Sequence, residues 1–513
     1  MTTYLAVSAV RIQSWLIRTP KLRLMRGASA ALSAETSTSS VARFLASQGW
    51  SGSVTAVDDA GDVDGVVALT VAPEVSPDEV ARRLLRDLSA RLPGVDWEAW
   101  WTNAGSYTEA YGKFQDDDVT RLARPAAPLE ATLARTCPEC RAEPAAAGGG
   151  LGADCAAREA AAAARERAAA QERAAARERT AKTSRDASAP RDDACAPPGR
   201  PPRDFDELAR VGGFPAVSSA VGRRESSNHL ATVVADGNRV GDIFTQLRGL
   251  KDDTVNRLAV DALSTATRTA VCRALTLIAP SSAVQAGIVH FVGGDDVFVS
   301  VPAREAWRFA TYLGREFDHE MRGALREIAE KAQLGEESRS TLERLPTPSL
   351  GIGLVFADSR HPIADTHALA AAALRQAKRA TRGLAGAVVW ADLTTEPHPP
   401  RDRVARLTDL LADLDPDGSR GTDATARLDV MRLPPSARAS LASVLASAWG
   451  PNGEGAATAA ALAAQWARRT GRSLVPGLES KDPAVAAEAA TLTRDLLSRA
   501  RWWPVPQTGG PET

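Results

Sequence analysis

The chain has 513 residues, 44% of them hydrophobic, with 62 Lys and Arg against 63 Asp and Glu. At ~150 residues per domain, that length supports roughly three or four domains with real cores. A net charge of −1 excludes a bulk polycation and an acidic solvating protein, so any nucleic-acid contact must be local or made through partners.

No apolar run reaches the ~18 residues of a membrane helix, so no membrane role is expected. Five cysteines make no disulfide scaffold, and their odd number fits a reducing, cytoplasmic setting. Arg11, Arg18, Lys21, Arg23 and Arg26, with no acid before Glu35, could be misread as a transit peptide. Tyr4–Val10 is instead a strand-like apolar run without a cleavage pattern, so a first strand and a basic helix start are expected.

Residues 1–130 read as one α/β unit. After the strand come a helix around Ala30–Gln48 and a hairpin of Gly52–Val57 and Val63–Val71, which turns through Asp58, Asp59 and Asp62. A helix over Ser76–Arg91 follows, then an aromatic patch of Trp97, Trp100 and Trp101 suited to a core. Residues 131–202 form an insert. It holds Cys137-Pro-Glu-Cys140, Cys155 and Cys195 around an Ala/Arg/Glu tract, Ala156–Arg179, expected to be a solvated helix without an apolar stripe. The Pro-rich end of the insert reads as a linker.

Residues 203–398 form a second α/β unit. Strands are expected at His229–Asp236, within Ala286–Val301, at Ser349–Ala357 and at Gly386–Trp390, with helices at Val240–Arg248 (the helical pattern resuming up to Leu277), Arg304–Gln333 and Thr366–Thr381. Residues 399–513 read as a C-terminal helical bundle with Ala/Leu stripes, suited to binding and scaffolding.

Two short pieces of the second unit carry chemistry. Val233-Val-Ala-Asp236-Gly237-Asn238 puts an acid at the end of a buried-type strand. Phe291-Val-Gly293-Gly294-Asp295-Asp296-Val-Phe298 puts two carboxylates at a tight turn between apolar strands. Three carboxylates gathered together repel unless a cation neutralises them, and hard oxygen ligands suit Mg²⁺ or Mn²⁺. Two such ions, ~3.5–4 Å apart, would serve nucleotidyl transfer. Gly-Gly-Asp-Asp can also be an ordinary hairpin turn; the apolar flanks and the separate strand-ending Asp236 favour the metal–nucleotide reading. Lys378, near the end of the helix that begins around Asp365, could reach a triphosphate or simply complement the helix dipole.

With these residues in view the chain resembles the large polymerase/cyclase subunit of type III CRISPR effector complexes, the "Cas ten" family. The order is similar: a palm-like unit, a zinc-ribbon-like insert, a second palm with Ala-Asp-Gly-Asn and Gly-Gly-Asp-Asp, and a helical tail. Ile12-Gln13-Ser14-Trp15, Arg23–Ser29, Ser349-Leu-Gly-Ile-Gly353 and Ala377-Lys378 fit as well. The resemblance implies an α/β multidomain fold with two ferredoxin-like palms of the nucleotidyl cyclase (GGDEF) type. It implies conversion of ATP to cyclic oligoadenylate when target RNA binds, and partnership with small helical and backbone subunits and guide RNA. Carried over by position, Asp236 and Asp295 would hold the metals, with Asp296 as partner or base. Gly237, Asn238, Gly241, Gly293 and Gly294 would lie along phosphates, and Lys378 would contact the triphosphate.

Two departures stand out. None of the six histidines is followed by Asp, so the family's His-Asp nuclease activity is not expected. The insert has only one close cysteine pair, Cys137 and Cys140. Either Zn²⁺ is held by these with Cys155 and Cys195, or the site is a remnant. The first palm has no acid at the end of its first strand and is expected to be non-catalytic. The other readings open to the sequence are a stand-alone cyclase making a cyclic dinucleotide and a catalytically silent scaffold.

Overall fold

The computed structural model describes residues 1–57, 64–114, 119–126, 135–146, 149–182, 197–211, 228–249, 253–279, 282–331, 348–395, 403–414, 422–450 and 454–504. Asp58, Asp59 and Asp62, the acids of the first hairpin, and Cys195 lie outside these residues.

The first unit runs β1 (Thr2–Val10), α1 (Ile12–Leu16), α2 (Leu22–Thr36), α3 (Thr38–Ser47), β2 (Val54–Ala56), β3 (Val66–Val71), α4 (Pro77–Arg91), β4 (Asp96–Ala104), α5 (Tyr107–Lys113) and β5 (Thr120–Arg124). Its sheet has the order β2-β3-β1-β4-β5, with β1 antiparallel to both neighbours. Leu5 and Val7 of β1 face a core shared with Leu84, Leu88 and Trp97, while Ala6 faces an aromatic layer with Tyr107 and Phe114. The single helix expected around Ala30–Gln48 is two helices. Ser37 is extended and its hydroxyl accepts the Ser40 N–H, so it ends α2 and caps α3.

The insert contributes α6 (Ala153–Lys182), and its N-terminal turns are not solvated as the composition suggests. Arg158 is buried, ion-paired with Asp154 at 2.8 Å, and donates to the Trp15 and Leu16 carbonyls. Asp154 in turn accepts the Trp15 indole N–H at 2.9 Å. A paired and fully hydrogen-bonded charge can be buried where a lone one cannot, which is how the start of α6 is buried against α1. Its approach to α2 is made at Gly27, where a Cβ would collide with the Arg158 carbonyl, and by the ion pairs of Arg23 with Glu159 and Glu166. The short α7 (Phe205–Arg210) leads into the second unit.

That unit runs β6 (His229–Gly237), α8 (Val240–Gly249), α9 (Asp253–Ile278), β7 (Ile288–Gly293), β8 (Asp296–Pro302), α10 (Ala306–Lys331), β9 (Leu350–Asp358), α11 (Ile363–Thr381), β10 (Ala387–Asp392) and β11 (Ala405–Arg406). The sheet order is β11-β10-β9-β6-β8-β7. Within it, β9-β6-β8-β7 repeats the arrangement of β4-β1-β3-β2 in the first unit, so both units are built on the same βαββαβ plan. Even a backbone detail recurs: Arg11 after β1 and Arg239 after β6 are both left-handed, with φ of 56° and 60°. The two units meet through Phe291, which packs against both cores, and through the hydrogen bond of His367 to Gln13 at 3.0 Å.

Among the described residues five helices follow: α12 (Leu407–Leu414), α13 (Thr422–Met431), α14 (Pro435–Ala448), α15 (Ala456–Thr470) and α16 (Pro483–Arg499). Alanines of α15 and α16 interlock with Leu441 and Leu445 in a small core of their own. The large core of the second sheet, however, runs on into this tail through Leu407, Leu410, Leu428, Met431, Leu496, Trp502 and Trp503. Trp502 stacks on Phe356 with centroids 5.8 Å apart and donates its indole N–H to Asp392 at 2.9 Å. Trp449 and Trp466 pack within the small core instead. No described helix is long and apolar enough to cross a membrane.

Candidate active site and metal-ligand cluster

Asp236 sits at the penultimate position of β6, the central strand whose residues Leu230–Ala235 are buried. Strands β7 and β8 form a hairpin in which Gly293 pairs with Asp296, and Gly294 with φ 61° makes the turn. A left-handed turn position is the conformation glycine adopts without strain. Because β8 pairs antiparallel with β6 through Ala235 and Val297, the turn comes to rest beside the end of β6. Gly237 completes the approach: a Cβ there would meet Asp295 Oδ2 at 2.7 Å and Val240 Cγ2 at 2.5 Å.

Asp236, Asp295 and Asp296 are therefore brought together. The carboxyl of Asp295 is pushed up to about 7, first by burial and then by the adjacent Asp236, to which it is also hydrogen-bonded. Asp296 is raised to about 6, again by burial and Asp236, with Lys378 opposing. Burial is the larger cause of both shifts, and the neighbouring Asp236 carboxylate adds to each. The donor set, three carboxylates at one strand end, fits hard divalent cations.

Lys378, in the last turn of α11, forms an ion pair with Asp236 and donates to the Gly237 carbonyl at 2.8 Å. It is thus part of the acid cluster and not a solvated end-of-helix charge. Asn238 is buried, and its backbone N–H donates to the Ser349 carbonyl. Its side-chain amide bridges the Ser349 hydroxyl at 3.0 Å and the Ala385 carbonyl at 3.1 Å. Its Oδ1 has no hydrogen-bond partner among the described residues. Gly241, in the first turn of α8, has open space above it, with nothing within 4 Å of where a Cβ would stand. Gly293 lies under the Phe291 ring: a Cβ there would stand 2.6 Å from Phe291 Cζ, so its role is to admit that ring.

His290, three residues before the turn, is a buried structural residue. Its ring stacks on Phe298 at 4.3 Å and its Nε2 meets the Ser300 hydroxyl at 2.8 Å. In the first unit the last three residues of β1 are Ser8, Ala9 and Val10, with no carboxylate.

A second cluster lies in the insert. Cys137, Cys140, Cys155 and Glu143 place one ligand atom each within 4.8 Å of one another. Glu143 is the member that reasoning from cysteines alone misses; the Cys137-x-x-Cys140-x-x-Glu143 spacing is the signal that could find it. Glu143 is buried and accepts the backbone N–H groups of Asp154 and Cys155, both at 3.0 Å, at the start of α6. Burial raises the Cys155 thiol, and the Glu143 carboxylate raises it further. Burial also works to raise Cys137, yet hydrogen bonds at its sulfur involving the backbone of Gly152, Cys140 and Glu139 leave it below its ordinary value. Three sulfurs and a carboxylate are a donor set that Zn²⁺ accepts.

Residues 229–384 match the family described as Cas10/Cmr2, second palm domain. Among curated proteins none matches the chain in sequence. Solved structures match in fold along nearly the whole chain. A Csm1–Csm4 cassette in complex with cA4 has a TM-score of 0.53 at 13% identity, covering 98% of this chain and 69% of that one. The apo cassette gives 0.51 at 12% identity, covering 98% and 70%. The cassette with one ATP gives 0.50 at 13% identity, covering 97% and 70%. The palm-domain match thus rests on the unit that gathers Asp236, Asp295 and Asp296, which is a palm of the Cas10/Cmr2 type, and the likeness in fold to the Csm1–Csm4 cassettes runs along nearly the whole chain.

Proposed function

We propose that this chain is the large subunit of a type III CRISPR effector complex and converts ATP to cyclic oligoadenylate when the complex binds target RNA. The observation that carries this reading is the meeting of Asp236, Asp295 and Asp296 at the end of β6 in a Cas10/Cmr2 palm. The Csm1–Csm4 cassettes of similar fold, bound to ATP or to cA4, support the same substrate and product here.

Asp236, Asp295 and Asp296 would hold Mg²⁺ or Mn²⁺, which when bound supplies activation of a ribose hydroxyl and neutralisation of the leaving pyrophosphate. The chain's own residues do the rest. The first turn of α8, open at Gly241, presents backbone N–H groups to a phosphate. Lys378, already aimed at the acid cluster, is placed to exchange Asp236 for a triphosphate oxygen. Asn238 ties the end of β6 to Ser349 and Ala385, which fixes the strand end on which the acids depend. Partners in this reading are a Csm4-like subunit, backbone and small helical subunits, and guide and target RNA. In the insert, Cys137, Cys140, Glu143 and Cys155 would hold a structural Zn²⁺.

The test is synthesis from labelled ATP by the reconstituted complex with and without target RNA. Asp295→Ala with Asp296→Ala should abolish product while assembly persists. Undiminished product would remove the acids from the site. Full synthesis by the chain alone, without RNA or partners, would instead favour a stand-alone cyclase.

A further inference from the structure

A cleft of about 620 Å³ opens between the second sheet and the helical tail, lined by none of the three palm acids. Its positive charge comes from four arginines on four separate elements: Arg382 after α11, Arg406 of β11, Arg427 of α13 and Arg499 of α16. Two aspartates, Asp409 and Asp495, also line it. The inner pair of arginines shares the carboxylate of Asp413, at 3.5 Å from Arg427 and 3.4 Å from Arg499. Arg499 is buried, and its Nε has no hydrogen-bond partner among the described residues. The outer pair, Arg382 and Arg406, is exposed at the mouth, with no described carboxylate within ion-pair distance. Leu384, 69% exposed, stands beside them, and Val404 and Leu492 continue the apolar wall.

A buried guanidinium nitrogen without a partner is costly unless something else completes its hydrogen bonding. Guanidinium groups pair with phosphate oxygens in a planar, two-pronged fashion that suits this arrangement. The volume falls in the range of small-molecule sites and admits a nucleotide rather than an extended strand. We propose that this cleft is a second anion site, distinct from the palm acids, that takes a nucleoside polyphosphate, with its phosphates on the arginines and its base along Leu384, Val404 and Leu492. The site is also wired to the palm. Ala385 lines the cleft and its carbonyl receives the Asn238 amide, so the wall of one site anchors the strand end of the other. Occupancy there would bias the position of Asn238.

The proposal does not depend on the palm's chemistry and is tested without it. The full chain, in EDTA so that no divalent metal reaches the acids, is photolabelled with 8-azido-ATP and the labelled peptides are mapped. Label is expected on residues 403–414, 422–431 or 489–503, protected by unlabelled ATP, and reduced about tenfold or more in the Arg382→Glu, Arg406→Glu double variant. Both substituted side chains are exposed, and an unchanged melting temperature checks that the variant is folded. Label confined to peptides of β6, α8 and the β7–β8 hairpin would overturn the proposal. So would labelling of the cleft that the double variant leaves unchanged. Protection by a short single-stranded RNA but not by ATP would also overturn it, making the face an RNA surface.

Discussion

Lys378 and Asp236 lie 142 residues apart in sequence and form an ion pair at the end of β6. The ammonium is the counter-charge held against a cluster of three acids. Lys378→Met should lower product from ATP by about tenfold or more, since in the proposed function it would remove a charged contact with the triphosphate. Both side chains are about 30% exposed, so the change in stability should stay within roughly 1 kcal/mol. Unchanged product with normal assembly would leave Lys378 a role only as counter-charge.

The raised carboxyls predict an unusual pH dependence in metal-free protein. Asp295 moves from an ordinary 3.8 to about 7 on folding. A carboxyl raised in this way adds stability fully below its unfolded value, and that stability is lost as pH rises through the folded one. Asp295→Asn should therefore stabilise the metal-free chain at about pH 8, by on the order of 2 kcal/mol, and should have no such effect below about pH 4. Thermal melts in EDTA across that range measure it. Added Mg²⁺ should stabilise the unsubstituted chain more than the variant.

Glu143 is predicted to be a metal ligand as well as a cap for α6. Glu143→Ala should lose bound zinc, read by metal analysis of purified protein, and should lower the melting temperature. Glu143→Cys should retain the metal, since four thiolates are a common zinc set. Equal zinc content in all three proteins would remove Glu143 from the site.

Trp502 and Trp503 are predicted to stabilise the second sheet rather than the tail. Truncating either to Ala should cost about 3–5 kcal/mol, as for a large aromatic in a core. Trp466→Ala should cost less, because that ring is only partly buried and its indole reaches Ser440 in the small core. Urea melts of the three variants compare them. Similar losses would mean that the two cores are not separable in this way.

The palm and its hairpin are legible in the sequence because their signals are local. Alternating apolar strands and the Gly293–Asp296 turn locate them, and Asp236 stands out at a strand end. What escapes depends on distant partners. The buried Asp154–Arg158 pair reads as two more charges in an Ala/Arg/Glu tract, and only Trp15 and Leu16, about 140 residues earlier, explain its burial. Ser37 splits an otherwise continuous helical pattern through one side-chain cap. Glu143 has the look of a surface acid because its role is set by the start of α6. The role of Lys378 is decided only by α11 lying across the end of β6.

The docking of Trp502 on Asp392 has a consequence for the order in which the protein is made. The two residues are 110 positions apart, which at ~5–20 residues per second is roughly 5–20 seconds of synthesis. For that interval β6, β9 and β10 would be available to pair while Phe356 and Trp307 still lacked the indoles that cover them. The second sheet is thus a unit whose strands emerge early and whose core closes late, and an arrest of translation between residues 400 and 500 would leave its aromatic face open to solvent or to a chaperone.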